Sequence, residues 1–153
     1  MQTKKGFSLI ELVVVVAVIG ILSAIVVNSF RSAQVTKAQE QITQGLIASL
    51  DKQKADTQAG KGGSNYGIKF NTDSYVLYKG KTYSDSSPLN QAVPVNSDFI
   101  LSNTVNATSD ALYFSKVYGE ASENATITVS HITGKVSPQL IIIEKSGTIS
   151  VIE

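Results

Sequence analysis

One carboxylate, that of Glu11, lies inside an apolar stretch that covers residues 7–27. An unpaired carboxylate within a membrane costs several kcal/mol, about 2.5–3.5 on insertion scales, so it is rarely found there without a partner. Cleavage after Gly6 would supply one, because it creates a positively charged α-amino group on Phe7, one helical turn from Glu11. In an assembly, the amine of one subunit would meet Glu11 of the next. The spacing therefore indicates assembly chemistry rather than catalysis.

The apolar stretch predicts a membrane-spanning helix. Residues 7–27 cover about 30 Å at ~1.5 Å per residue, which matches the hydrocarbon core of a bilayer. Lys4 and Lys5 precede the stretch and would hold the N-terminus in the cytoplasm, with the bulk of the chain outside the membrane. Two other interpretations stay open. An uncleaved anchor leaves Glu11 unexplained, and an ordinary secretory signal has a shorter apolar core.

The segment that covers residues 4–25 resembles the class III signal of type IV pilins and of type II secretion pseudopilins. The resemblance rests on the basic pair Lys4-Lys5, on Gly6 and Phe7, and on the run Ser8-Leu9-Ile10-Glu11-Leu12. It implies that a prepilin peptidase cleaves between Gly6 and Phe7, and that Phe7 is N-methylated. It also implies that Glu11 sets the register between subunits.

The same resemblance implies a location and a set of partners. The chain is expected in the bacterial inner membrane as a single-pass protein in contact with lipid, with its C-terminal domain extracytoplasmic. An inner-membrane assembly platform would then add it to other pilin or pseudopilin subunits, in a filament that lies in the periplasm or at the cell surface.

The composition excludes several classes of site. The 13 basic and 12 acidic residues give a net charge of +1, and loss of Lys4 and Lys5 leaves 11 against 12. This balance gives no reason to expect a nucleic-acid partner. The chain has no cysteine, which excludes thiol catalysis, cysteine metal sites and disulfides. Because many major pilins close a C-terminal loop with a disulfide, this absence favours a minor subunit.

No cluster of residues predicts an enzyme, a cofactor or a metal site. The single histidine, His131, lacks neighbouring cysteines or grouped carboxylates, and we expect it at the surface or in a turn. The six tyrosines allow two interpretations. Tyr66 and Tyr78 either form a surface patch for a partner or, as we favour, pack against neighbouring strands with the hydroxyl in water.

The rest of the chain predicts an α+β fold, in which a long helix packs on an antiparallel β domain. The number of short strands predicts that this domain has two sheets. The helix continues over residues 28–56, and a glycine-rich linker, 57–65, separates it from the β domain, 66–153. One apolar stripe at helical spacing would dock on that domain. Its members are Val35, Ala38, Ile42, Leu46 and Leu50.

Short alternating segments predict the strands of the β domain. Residues 66–70 and 75–78 predict a hairpin, and Lys81-Thr82-Tyr83 a further short strand before a polar loop that holds Pro88 and Pro94. The order of the segments along the β domain resembles that of the GspH/FimT family of minor pseudopilins and minor pilins. These segments are the hairpin and residues 112–119, 126–129 and 141–151.

We therefore predict a structural subunit, a minor pilin or pseudopilin of a type IV pilus or a type II secretion-like filament. The alternative is a binding module at the filament tip, for adhesion or DNA uptake. Residues 145–153 contain one lysine and no arginine. Phosphate contacts dominate DNA affinity and need clustered basic side chains, so we do not predict nucleic-acid binding.

Overall fold

The computed structural model describes residues 8–105 and 110–152, without the side chains of residues 25–29. The chain divides into two compact units, Met1–Val35 and Thr36–Glu153. One helix, α1, begins at Leu9 in the first unit and ends at Gln58 in the second. Eight strands follow it, in two four-stranded antiparallel sheets. The predicted α+β class and its two sheets are confirmed.

The described part of the first unit is the N-terminal part of α1. Its first turn is closed by the carbonyl of Ser8, which accepts the backbone N–H groups of Glu11 at 3.1 Å and Leu12 at 3.2 Å. The large apolar side chains of residues 9–24 are exposed, from 48% to 80% of their surface. Among the residues that the structure describes, no helix is long and apolar enough to cross a membrane.

In the second unit, α1 runs two residues beyond the predicted end at Asp56 and ends at Gln58. Gly60 follows with φ 63°, a left-handed conformation that glycine adopts without steric cost and that commonly ends helices. A short 3-10 helix, Lys61–Gly63, then leads to the first strand.

The first sheet contains β1 (Tyr66–Phe70), β2 (Ser74–Lys79), β3 (Gln91–Pro94) and β5 (Ala111–Phe114), in the order β3-β2-β1-β5. The predicted hairpin is confirmed, since β1 pairs antiparallel with β2. The predicted strand at Lys81-Thr82-Tyr83 is wrong, because β2 ends at Lys79 and the chain turns at Gly80, whose φ is 126°.

β3 lies where a polar loop was expected. Pro94 has no backbone N–H and is therefore disfavoured inside a sheet. It is tolerated here because β3 is an edge strand of this sheet and, among the described strands, pairs with β2 alone. Pro94 lies opposite Ser74, at the end of the β2–β3 ladder.

The second sheet contains β4 (Phe99–Val105), β6 (Ala125–His131), β7 (Gln139–Ile143) and β8 (Ile149–Ile152), in the order β4-β6-β7-β8. Buried and half-buried residues alternate along the whole of β6, as its sequence pattern predicts. Ile127, Val129, Ile141 and Ile143 are completely buried and form much of the core on this sheet.

Candidate assembly site

Glu11 is the one predicted site residue that lies in the described part of the chain. It occupies the first turn of α1 and is exposed. A helix N-terminus carries partial positive charge, which favours a carboxylate by about 0.3–1 kcal/mol when exposed. Lys4, Lys5, Gly6 and Phe7 lie outside the described residues.

After Glu11, the helix is apolar on every side over residues 12–22. Four consecutive valines, Val13 to Val16, are each about half exposed, between 48% and 62%. Consecutive helical residues point in different directions, so no single face accounts for this exposure. A helix that is apolar all round requires an apolar environment, either lipid or other protein.

The second unit buries a different kind of helix face. Six residues of α1 at alternating spacings of four and three are at most 4% exposed: Gln39, Thr43, Leu46, Leu50, Gln53 and Thr57. Of the predicted stripe, Leu46 and Leu50 are buried, whereas Val35, Ala38 and Ile42 are only half-buried. The docking face is therefore rotated from the predicted one, and most of its members are polar.

Hydrogen bonds to the β domain explain how this polar face is buried. The Gln39 Nε2 group donates to the carbonyl oxygens of Val129 and Ser137, at 2.9 Å each. The Thr43 hydroxyl donates to Gln139 Oε1 at 2.6 Å. Burial of polar groups is tolerated when each finds a partner, so these bonds orient the helix on the second sheet.

The C-terminal end of the docked face bonds to the first strand. The Thr57 Oγ1 atom accepts the backbone N–H of Tyr66 at 3.0 Å and donates to the Gln53 carbonyl at 2.8 Å. The Lys54 ammonium donates to the Gly147 carbonyl at 2.8 Å, in the turn between β7 and β8. The end of α1 is therefore tied to both sheets.

Tyr78 packs against neighbouring strands as expected, but its hydroxyl is bonded to protein and does not lie in water. Tyr66 is half-buried, and its hydroxyl donates to the Lys61 carbonyl at 3.1 Å. Tyr75 is 5% exposed and its hydroxyl lies 3.1 Å from Ser49 Oγ. Tyr78 is 3% exposed and donates to the Leu112 carbonyl at 3.2 Å. Burial, with a smaller contribution from Tyr113, raises the pKa of Tyr78 well above its usual range.

Tyr78 also depends on the glycine opposite it. Gly67 pairs with Tyr78 in the β1–β2 ladder, and a Cβ atom at Gly67 would overlap the Tyr78 ring and the Leu112 carbonyl. The missing side chain therefore makes room for the tyrosine ring.

His131 is buried rather than at the surface, but it does begin a turn, because its carbonyl accepts the backbone N–H of Gly134 at 2.9 Å. It ends β6 at 8% exposure and its ring packs edge-on against Phe99, with the ring centres 5.1 Å apart. Its Nδ1 atom accepts the backbone N–H of Thr133 at 3.1 Å. Within the described ranges, no group of His, Asp or Glu side chains has the arrangement of a metal site.

Sequence reasoning missed the polar docking residues because it searched for apolar ones. Gln39, Thr43, Gln53 and Thr57 fall on the same helical face as Leu46 and Leu50, which the spacing alone reveals. Uncharged polar residues at helical spacing from a short apolar stripe would have indicated this buried face.

The N-terminal segment matches a known sequence family. Residues 1–27 match the family described as the prokaryotic N-terminal methylation motif. No curated protein sequence matches the chain.

Two solved structures share the fold. The minor pseudopilin EpsH of the Type 2 Secretion System of Vibrio cholerae has a TM-score of 0.55 and 11% identity, over 74% of this chain and 94% of that one. The type IV minor pilin FimU of Pseudomonas aeruginosa PAO1 has a TM-score of 0.56 and 14% identity, over 77% of this chain and 92% of that one. The chain thus combines a prokaryotic N-terminal methylation motif with an α+β fold similar to that of a minor pseudopilin and of a type IV minor pilin.

Proposed function

We propose that the chain is a minor subunit, of the GspH/FimT kind, of a type IV pilus or a type II secretion-like filament. The observation that carries this proposal is the presence, in one chain, of the methylation motif at residues 1–27 and a pilin-like fold. The absence of cysteine favours a minor over a major subunit.

Processing precedes assembly in this proposal. Lys4 and Lys5 keep the N-terminus in the cytoplasm, where a prepilin peptidase cleaves between Gly6 and Phe7. The new α-amino group of Phe7 is then methylated. Until assembly, the apolar residues 7–27 hold the chain in the bacterial inner membrane, with the β domain extracytoplasmic.

Glu11 directs the assembly step. Its carboxylate lies among exposed apolar side chains, and it would be buried together with them when helices bundle in the filament core. Burial of an unpaired carboxylate is costly, so only the register that brings the amine of a neighbouring subunit to Glu11 compensates for it. The inner-membrane platform would supply subunits to this site.

The processing step is tested by the intact mass and N-terminal sequence of the protein from cells that contain a prepilin peptidase. We expect a chain that starts at N-methylated Phe7. The matched control is Gly6→Leu, which should stay unprocessed. A native chain that still begins at Met1 beside an active peptidase would contradict the proposal.

The assembly step is tested by Glu11→Ala. We expect normal membrane insertion and cleavage but at least about a 50-fold loss of incorporation into filaments, as a cost of about 2.5 kcal/mol for the unpaired amine implies. Glu40→Ala, at an exposed position later in α1, is the control and should assemble normally. Wild-type incorporation of the Glu11 variant would remove the role assigned to this residue.

A further inference from the structure

A crevice of about 250 Å³ lies where the end of α1 passes over the first sheet. We call it the helix-end crevice. Its walls come from the last turns of α1, from β1, β2 and β3, and from the loop before β3. All of them belong to the second unit, so the crevice does not depend on N-terminal processing.

Gln53 on the crevice wall differs from the other polar residues of the docked face. It is 4% exposed, and its Oε1 atom has no hydrogen-bond partner among the described protein atoms. Gln39, Thr43 and Thr57, by contrast, all bond to neighbouring groups. The preceding residue on this face, Leu50, is apolar and completely buried. Burial alone therefore does not require an amide at residue 53.

The charges around Gln53 are mostly positive. Lys61 forms an ion pair with Asp56 at 3.2 Å. Lys52 and Lys79 also line the crevice, and neither forms an ion pair within the part of the chain that the structure describes. Two lysines without an ion-pair partner thus line the crevice, and a carboxylate ligand would give them charge-assisted hydrogen bonds.

Apolar side chains complete the wall. Leu77 is buried on β2, whereas Leu89, in the loop before β3, is 59% exposed. An exposed leucine beside two ammonium groups suits a ligand that has an apolar group next to its negative charge.

We propose that the helix-end crevice binds an acidic peptide segment of another protein. A glutamate or aspartate side chain contacts Lys52 and Lys79, and an adjacent apolar side chain packs on Leu89. The Gln53 amide has both a donor and an acceptor, as a peptide group has, and its terminal torsion is soft enough to present either one. An inorganic anion would use only the lysines.

Peptide binding to the full-length chain in detergent micelles tests the proposal. The probe is the fluorescein-labelled peptide Gly-Leu-Glu-Glu-Leu-Gly, followed by fluorescence anisotropy, with Gly-Leu-Gln-Gln-Leu-Gly as its neutral counterpart. We expect the acidic peptide to bind at least about tenfold more tightly, with a difference that shrinks at high salt. Equal binding of the two peptides would overturn the proposal, as would displacement of the acidic peptide by millimolar inorganic phosphate.

Two variants locate the binding. Lys79→Gln should weaken the acidic peptide at least about fivefold with an unchanged melting temperature, whereas Lys135→Gln, an exposed lysine outside the crevice, should have no effect. Gln53→Leu should raise the melting temperature, because it removes a buried unpartnered oxygen, and yet weaken both peptides. If Lys79→Gln or Gln53→Leu leaves peptide affinity unchanged, the ligand does not occupy this crevice.

Discussion

The two halves of α1 reverse the usual relation between polarity and burial. Large apolar side chains at residues 9–24 are 48% to 80% exposed, whereas Gln39, Thr43, Gln53 and Thr57 are at most 4% exposed. Both halves belong to one helix of 50 residues. Their difference lies in their partners, since the second half meets the β domain of its own unit.

This difference shows that a buried position requires a partner of matching chemistry, not an apolar side chain. In the docked half, Gln39 donates to two carbonyls and Thr43 to a side-chain amide, so the burial of these two residues costs little. The exposed half carries mainly apolar side chains, and its large apolar side chains stay exposed among the described residues.

The largest expected effect is on the free energy of unfolding, when leucine is replaced by alanine in each half of α1. Leu50→Ala should lower the free energy of unfolding of the second unit by about 2–5 kcal/mol, because Leu50 is completely buried. Leu12→Ala, at 62% exposure, should leave it unchanged. Urea unfolding of the full-length chain in micelles, followed by tyrosine fluorescence, measures both, because all six tyrosines lie between residues 66 and 118. Equal losses would break the comparison.

The second largest expected effect comes from loss of the hydrogen bonds that Gln39 makes to the β domain. Gln39→Leu removes the donor of two hydrogen bonds, those to the carbonyls of Val129 and Ser137. It should lower the free energy of unfolding by about 1–3 kcal/mol although it adds an apolar side chain. Gln41→Leu, at an exposed position of the same helix, is the control. A more stable Gln39 variant would show that the polar face is not what holds the helix.

Alkaline pH should destabilise the second half of α1 and its β domain through the ionisation of Tyr78. Burial raises the pKa of Tyr78, so its contribution to stability is fully present below the unfolded pKa, near 10, and is lost as pH rises toward the folded pKa. The second unit should lose about 1 kcal/mol by roughly pH 11 on this account. Tyr78→Phe should remove that part of the loss, and the exposed Tyr118→Phe should not. Residues 9–24 contain no tyrosine, so this titration should not act on that part of the helix.

The smallest expected change in the free energy of unfolding comes from replacing the two glycines inside α1 by alanine. A Cβ atom at Gly20 or at Gly45 would meet nothing within 4 Å. Gly45→Ala should raise the free energy of unfolding of the second unit by about 0.5–1 kcal/mol through helix propensity. Gly20→Ala should leave that value unchanged, and a drop in its incorporation into filaments would indicate close helix packing at this position. Destabilisation by Gly45→Ala would contradict the open space seen there.

Local patterns were sufficient for most of the fold. The glycine cluster predicted the end of α1 to within two residues, and alternation predicted β6 and the β1–β2 hairpin. β3 was missed because a proline inside a polar segment argues against a strand unless that strand lies at an edge. Edge position is a property of the assembled sheet, which a local pattern does not contain.

The sequence by itself determined where the N-terminal methylation motif lies, and the assembly role proposed for Glu11 comes from that motif. The motif and the apolar residues that carry it are adjacent in the chain, so their chemistry can be read without a fold. The tertiary structure alone decided which face of α1 is buried and what surrounds Gln53. Gln39 bonds to carbonyls 90 and 98 residues away, and hydrophobic periodicity says nothing about partners at that separation. Burial of a polar side chain depends on such partners, and only the folded chain brings them together.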